Sequence, residues 1–148
     1  ATRPTVWHQA GERTLETAQS AYQQAGVAGD IDAFITDMAA AYAWCDLVVC
    51  RAGALTVSEL AAAGVPAVFV PLPHAVDDHQ TRNAEFLTAV DAARLIPEST
   101  LTPATLATTL HDLLGEPSQL TAMARAARAQ GRPNAAERVA DVCMEVAA

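Results

Sequence analysis

The feature that most constrains this chain is the alternation of short apolar runs with longer, alanine-rich segments of helical period. Such alternation is typical of repeated strand–helix units, in which crossover helices cover a parallel sheet. The predicted strands are residues 5–9, 27–33, 47–50, 67–70 and 93–96. The sequence therefore predicts an α/β fold, with four or five parallel strands in one three-layer domain whose ligands bind beyond the carboxyl ends of the strands.

Residues typical of helix ends support this pattern. The predicted helices are residues 13–25, 37–44, 58–63, 84–90, 103–114, 117–129 and 134–147. Gly26 and Gly64 follow two of them as C-terminal stops, and Thr102 stands as an N-cap before a proline at the first helical position. Thr36 or Asp37 suits the N-cap of the second helix.

The charge of the chain limits the classes of partner that it can bind. Its formal net charge is −8 at pH 7, and all nine basic residues are arginine. Without lysine, the chain holds neither the Walker A lysine of nucleoside triphosphatases nor a Schiff-base lysine. The acidic balance also argues against nucleic acid, whose phosphates require a basic surface, and against an anionic membrane. We therefore expect no nucleic acid partner and no membrane contact through this part.

Cysteine use and hydropathy indicate the compartment. Cys45, Cys50 and Cys143 lack metal-ligand spacing, and an odd number of thiols is typical of a reduced, cytoplasmic protein. The sequence has no run of about 18 apolar residues and no signal-peptide pattern. We therefore expect a soluble, cytoplasmic chain.

The segment 51–59 joins the clearest strand to a helix through Ala52, Gly53 and Ala54. Small residues allow a ligand to approach the backbone, and a helix N-terminus offers unpaired N–H groups and a partial positive charge. This combination suits a phosphate or diphosphate. One glycine does not make a dinucleotide fingerprint, so a plain strand-to-helix turn is the alternative.

Glu59 has two interpretations. With Thr56 it matches a capping box, in which the glutamate turns back to the N-cap N–H, and the pattern alone favours this role. As a ligand-binding residue, its carboxylate instead accepts hydrogen bonds from two sugar hydroxyls at the mouth of the sheet. The residue pattern leaves both roles open.

The segment 71–83 is long and polar for a compact domain, which is typical of a functional loop. Its four candidate metal ligands are His74, Asp77, Asp78 and His79. No further ligand comes from a neighbouring strand end, so a surface of Gln80 and Asn83 that hydrogen-bonds a polar ligand is the better interpretation. The alternative is that the two aspartates cap the next helix. No nucleophile–base pair is found, and we assign no catalytic residue and no metal.

Two long stretches carry a specific likeness to a known family. Residues 34–44 read FITDMAAAYAW, and residues 48–59 read VVCRAGALTVSE. They closely resemble the C-terminal half of the MurG family of bacterial glycosyltransferases. The likeness covers essentially the whole chain, and its further matching positions are Trp7-His8-Gln9, residues 71–74, Gln80, Asn83 and residues 137–140.

This resemblance implies a Rossmann-like lobe of a GT-B glycosyltransferase that binds the nucleotide-sugar donor, with residues 117–148 as its C-terminal helices. The family transfers N-acetylglucosamine (GlcNAc) from UDP-GlcNAc to lipid I, forming lipid II for peptidoglycan. Transfer inverts the sugar carbon and uses no cofactor and no protein-bound metal. The whole enzyme is then expected in the cytoplasm, peripheral on the inner membrane.

When the roles of the family's residues are assigned to the matching positions of this chain, the resemblance implies a donor site. The backbone of Ile35 pairs with uracil, and Glu59 accepts the ribose hydroxyls. Gln80 reaches the sugar hydroxyls, with His79 and Asn83 close by. Around the diphosphate and sugar lie Ala54, Leu55 and Thr56, completed by Val57 and Ser58 and flanked by Arg51 and Gly53.

The chain departs from the family in two ways. The family often has serine where this chain has Ala52, so a hydroxyl is missing from the loop. The family's first donor-lobe strand with its glycine-rich loop, and the whole acceptor lobe, have no counterpart in these residues. That lobe is expected to supply the base, the lipid I contacts and the membrane-facing patch.

We therefore expect this chain to hold most of the donor site and to be inactive alone. Loss of a neighbouring strand exposes a sheet edge, which suggests self-association. Two alternatives are a non-catalytic module that binds nucleotide sugars and the donor lobe of a transferase that uses another UDP-sugar.

Overall fold

The structure, a computed structural model, describes residues 3–73 and 78–147. The chain forms two compact units, Ala1–Ala41 and Tyr42–Ala148. The described residues contain five strands, and every strand pair is parallel, as predicted. The strands form one hydrogen-bonded sheet of two and one of three rather than a single sheet, which differs from the sequence-based prediction. Hydrophobic period identifies strands but does not determine which strands pair.

The first unit contains a minimal strand–helix–strand motif. Strand β1 (Trp7–Gln9) pairs with β2 (Asp30–Asp32), and helix α1 (Leu15–Gln24) connects them. The Trp7 indole N–H donates to Asp32 Oδ2 at 2.7 Å and so links the two strands. After α1 the chain turns at Gly26, whose φ is +64°, as the predicted stop requires.

The second unit is built on a three-stranded sheet in the order β3 (Val48–Cys50), β4 (Ala67–Phe69) and β5 (Ala93–Leu95). All three residues of the central strand β4 are buried. A continuous apolar run such as residues 47–50 predicts a strand buried on both faces, but Val49 is 44% exposed, so this prediction is wrong. β3 is the edge strand of this sheet, and an edge strand has a neighbour on one side only.

Helices cover both faces of this sheet. On one face Phe69 packs with Leu60 and Leu87, and on the other Val68 packs with Leu113 and Met123. Because neighbouring strand residues point to opposite faces, β4 supplies both clusters. The second unit is therefore layered as helix, sheet and helix, as predicted.

Seven helices lie in the described part of the chain. After α1 these are α2 (Met38–Trp44), α3 (Ala54–Ala63), α4 (His79–Thr88), α5 (Pro103–Leu114), α6 (Pro117–Gln130) and α7 (Ala135–Ala147). A 3₁₀ turn, Glu98–Thr100, precedes α5. None of the helices described is long and apolar enough to cross a bilayer.

Three of the predicted caps are confirmed. Asp37 Oδ1 accepts the Ala40 N–H at 2.8 Å, which makes it the side chain that caps α2. Thr102 accepts the Thr105 N–H at 3.0 Å and caps α5. Gly64 ends α3 in the left-handed region at φ +73°.

Two helices begin earlier than predicted. α3 starts at Ala54 because Gly53, extended at φ −65° and ψ 145°, takes the N-cap position expected for Thr56. α4 starts at His79 rather than residue 84, after Asp78 turns the chain at φ +51°. The first turn of α4 has no buried residue to give a helical period, since only Ala84 and Leu87 of this helix are buried. Gln80 and Asn83 are therefore helical, not loop, residues.

Candidate functional site

The candidate site of the second unit lies at the carboxyl edge of its sheet. β3 ends at Cys50 and β4 at Phe69, and parallel strands bring the segments that follow them to the same edge. Asn83 Nδ2 donates to the carbonyl oxygen of Ala52 at 3.0 Å, which joins α4 to the turn before α3. Ala52 itself is fully buried. The predicted loop and the Asn83 side chain thus meet, with Asn83 anchoring the turn.

The N-terminus of α3 presents backbone donors at this edge. Its first intrahelical bond runs from the Val57 N–H to the Gly53 carbonyl oxygen at 2.9 Å. The N–H groups of Ala54, Leu55 and Thr56 precede that bond, and α3 has no side-chain cap bond among the described residues. These groups and the helix dipole form a positive, lysine-free surface suited to an anion.

Side chains of α3 divide between core and surface. Val57 is 4% exposed and packs in the core, so it offers a ligand no accessible side chain. Leu55, by contrast, is 80% exposed beside the backbone donors. Ser58 is exposed, and its Oγ donates to the Ala54 carbonyl oxygen at 2.9 Å.

Glu59 lies in the second turn of α3 and is not a cap. The capping-box interpretation is wrong, because helix formation from Ala54 puts both Thr56 and Glu59 inside the helix. The exposed Glu59 carboxylate instead accepts a hydrogen bond from the phenol of Tyr42, with 2.8 Å between Oη and Oε2. Burial, and then the neighbouring Glu59 carboxylate, raises the pKa of Tyr42 above its ordinary value. The phenol therefore remains a neutral donor.

The start of α4 supplies further polar groups. Gln80 Oε1 accepts the Leu72 N–H at 2.9 Å, which leaves the amide nitrogen of Gln80 as its donor group. His79 is exposed next to it. Asp78 occupies the N-cap position, but its carboxylate accepts from Thr81 Oγ1 at 2.7 Å rather than from a backbone N–H.

Candidate metal ligands are only partly visible. His74 and Asp77, both weighed as metal ligands and Asp77 also as a helix cap, lie outside the described residues. Among residues 3–73 and 78–147, no group of three or more His, Cys, Asp or Glu side chains is arranged to hold a metal ion.

Arg51 links three segments of the second unit. Its Nη1 donates to the carbonyl oxygens of Val70 at 3.1 Å and Pro71 at 3.2 Å, and to Glu98 Oε2 at 2.5 Å. The guanidinium of Arg51 therefore fixes the backbone of the segment that follows β4. Sequence reasoning missed Glu98, and a partner 47 residues away leaves no local signal.

Ile35 belongs to the first unit, where it follows β2. Its N–H donates to Gln9 Oε1 at 2.9 Å, and its side chain is half-buried. The Ile35 N–H is thus bonded to the side chain of Gln9, whereas the resemblance assigns the backbone of Ile35 to uracil. Sequence reasoning did not predict this contact of Gln9, although the residue belongs to the matching Trp7-His8-Gln9 stretch.

Comparison with known proteins identifies the family. The profile of the "Glycosyltransferase family 28 C-terminal domain" matches residues 2–139. The chain belongs to glycosyltransferase family 28. This result and the close relatives confirm the resemblance described above.

Two relatives of this family 28 chain carry the name UDP-N-acetylglucosamine--N-acetylmuramyl-(pentapeptide) pyrophosphoryl-undecaprenol N-acetylglucosamine transferase. The protein from Marinobacter nauticus is 56% identical over 147 residues, which is 99% of this chain and 40% of the relative. The protein from Alkalilimnicola ehrlichii is 58% identical over 145 residues, 98% of this chain and 41% of the relative. The chain spans about two-fifths of the length of these relatives.

Two solved structures share the fold of the chain. The crystal structure of Acinetobacter baumannii MurG matches with a TM-score of 0.88 and 47% identity, over 95% of this chain and 43% of that one. The glycosyltransferase VinC, solved in complex with dTDP, matches with a TM-score of 0.61 at 20% identity, over 87% of this chain and 38% of that one. At that identity the likeness to VinC concerns the fold alone, and the α/β fold class is confirmed.

Proposed function

We propose that this chain is the donor-binding part of an enzyme that transfers N-acetylglucosamine from UDP-GlcNAc to lipid I to form lipid II. The name shared by relatives at 56% and 58% identity supports this activity. UDP-GlcNAc is the proposed partner of these residues. Lipid I, the catalytic base and the membrane contact at the cytoplasmic face are proposed for the part of the protein outside this chain.

One observation carries the proposal. Three uncapped N–H groups of α3 and the Glu59 carboxylate belong to the same ten-residue helix, at the carboxyl edge of a parallel sheet. Leu55 and Glu59 are four residues apart, so they lie on one face of this helix. That face offers donors for a diphosphate at its beginning and an acceptor for hydroxyls one turn further on, which suits a nucleoside diphosphate sugar.

The proposed chemistry is a direct displacement. A hydroxyl of the acceptor attacks the anomeric carbon and gives its proton to the catalytic base proposed outside this chain, while the bond from that carbon to the diphosphate oxygen breaks and UDP leaves. Negative charge grows on the diphosphate, where the N–H groups of Ala54, Leu55 and Thr56 and the helix dipole stabilise it. The chain contains no lysine that could neutralise this charge.

The remaining contacts follow the resemblance. Glu59 accepts ribose hydroxyls, Gln80 donates its amide N–H to sugar hydroxyls, and the Ile35 backbone pairs with uracil. Gly53 leaves the turn open to the diphosphate, and Ser58 and His79 border the site. Arg51 and Asn83 support it, since their hydrogen bonds go to backbone carbonyl groups of the surrounding segments.

Replacement of Glu59 in the whole enzyme tests the proposal. Glu59→Ala removes one or two charge-assisted hydrogen bonds to the donor, each worth roughly 1.5–3 kcal/mol, so kcat/KM for UDP-GlcNAc should fall by about tenfold or more. Steady-state kinetics with lipid I in excess measures kcat/KM for UDP-GlcNAc. Glu145→Gln is the control, because Glu145 is an exposed glutamate on α7.

The outcomes separate the alternatives. A Glu59→Ala enzyme with unchanged KM and kcat for the donor would remove Glu59 from the donor site. If the whole wild-type protein binds UDP-GlcNAc yet forms no product with lipid I, it is a non-catalytic binding module. Faster turnover with a different UDP-sugar in direct competition indicates another donor.

A further inference from the structure

We propose that Tyr42 is a positioning residue for Glu59: its phenol holds one carboxylate oxygen, so that the other faces the hydroxyls of the donor. This inference rests on the proposed function, because it assigns a partner to a residue of that same site. It goes beyond the resemblance, which gives Tyr42 no role.

In this contact the Tyr42 phenol is a rigidly held hydrogen-bond donor, and the exposed Glu59 carboxylate is the acceptor. Tyr42 is half-buried and packs against the main core cluster, so its ring is held in place. Glu59 is exposed, and within the described residues 3–73 and 78–147 its side chain accepts one hydrogen bond, of 2.8 Å from Tyr42 Oη to Oε2. An exposed glutamate otherwise samples many rotamers, and ordering it on ligand binding costs free energy. The bond to Tyr42 orders it before the ligand arrives.

The phenol is suited to this role by its charge state. Burial comes first among the causes that raise the pKa of Tyr42, followed by the hydrogen bond and the negative charge of Glu59, with smaller contributions from Cys50 and Cys45. Tyr42 therefore keeps its proton at neutral pH and donates a hydrogen bond to Glu59. A carboxylate has about four acceptor positions, so this bond leaves Oε1 free for a diol.

Tyr42→Phe in the whole enzyme removes the hydroxyl and keeps the ring. We expect KM for UDP-GlcNAc to rise by about five- to tenfold, the size of one ordinary hydrogen bond, with kcat within about twofold and KM for lipid I unchanged. Tyr22→Phe is the matched control, because Tyr22 is the other tyrosine and lies on α1 beside His8. A merely structural role for Tyr42 predicts a lower unfolding midpoint with no selective change in donor KM, and that result overturns the proposal.

A double-mutant cycle distinguishes this proposal from the one above. In a Glu59→Ala background, Tyr42→Phe should add no further increase in donor KM. If Glu59→Ala leaves donor KM at the wild-type value, the role of Glu59 itself fails. If Glu59→Ala raises donor KM while Tyr42→Phe does not, only the positioning role of Tyr42 is overturned.

Spectrophotometric titration of this chain in a Tyr22→Phe background, where Tyr42 is the one remaining tyrosine, gives a second readout. With Glu59 in place, Tyr42 should ionise at higher pH than an ordinary tyrosine, and Glu59→Ala should lower its pKa by removing both the hydrogen bond and the charge. A Tyr42 titration that is identical with and without Glu59→Ala shows that the contact is absent in solution and overturns the proposal.

Discussion

Gly64 is the residue where helix termination and helix packing impose separate requirements, and Gly64→Ala measures both. It ends α3 at φ +73°, and the Val65 N–H after it bonds back to the Leu60 carbonyl oxygen at 3.0 Å. A Cβ at this position would lie 3.1 Å from Arg128 Cβ and 3.3 Å from the Ala124 carbonyl oxygen, both on α6. The glycine therefore permits the left-handed turn and the close approach of α6.

The cost of Gly64→Ala follows from these two terms. Placing an L-residue in the left-handed region costs about 1–2 kcal/mol. The carbon–carbon contact at 3.1 Å is shorter than the optimum of about 3.5–4.0 Å, so α6 must shift, and overpacking of this kind costs about 1–3 kcal/mol. We expect the free energy of unfolding to fall by about 2–5 kcal/mol in total.

Gly26→Ala is the matched control. Gly26 also ends a helix, at φ +64°, and is also followed by a valine, Val27, whose N–H bonds back to the helix, but its Cβ would meet no atom within 4 Å. It should cost only the about 1–2 kcal/mol of the backbone term. Both changes reduce the entropy of the unfolded chain alike, so this contribution cancels in the comparison.

Urea unfolding measures the two effects separately. Trp44 lies in the second unit and Trp7 in the first, and they are the two tryptophans, so fluorescence of single-tryptophan backgrounds reports each unit. Equal losses of stability for Gly64→Ala and Gly26→Ala would refute the packing argument. A neutral Gly64→Ala would refute the backbone argument as well.

Two further predictions concern Cys50 and Arg51. Burial raises the pKa of Cys50 from 9.0 to about 12, so between these values the folded state keeps a proton that the unfolded chain releases. The free energy of unfolding should therefore fall as pH rises through this range, by up to about 1.4 kcal/mol per pH unit, and urea titrations of Cys50→Ala should show a smaller slope; identical slopes contradict this. Arg51→Ala should lower the free energy of unfolding by about 1–3 kcal/mol, because the guanidinium binds two carbonyl oxygens of the chain. Glu98→Gln should cost about 0–1 kcal/mol, since that ion pair is partly exposed, and equal costs would show that the ion pair is the main contribution.

The local features were accessible from sequence. Strand and helix order follows from hydrophobic period, which is a property of short stretches of sequence. The caps at Asp37 and Thr102 and the stop at Gly64 depend on residues within one helical turn, and the structure has all three. The two stretches 34–44 and 48–59 also identified the family correctly.

The errors lie where local rules compete. Thr56 and Glu59 form a good capping-box pattern, yet the extended Gly53 takes the N-cap position and Ala54 and Leu55 join α3, which leaves both pattern residues inside the helix. The first turn of α4 escaped detection because its outward residues are polar, which resembles a loop. In both cases the predicted helix was too short at its start.

By itself, the sequence determined the strand–helix order, the parallel α/β class, the family and the helix that supplies the candidate site. Only the tertiary structure decided the division into two sheets and the partners of the site residues. The bonds from Tyr42 to Glu59, Arg51 to Glu98 and Asn83 to the Ala52 carbonyl oxygen span 17, 47 and 31 residues. Such pairs form because the parallel sheet brings helices and loops that are distant in sequence together, and no short-range pattern encodes which of their side chains meet.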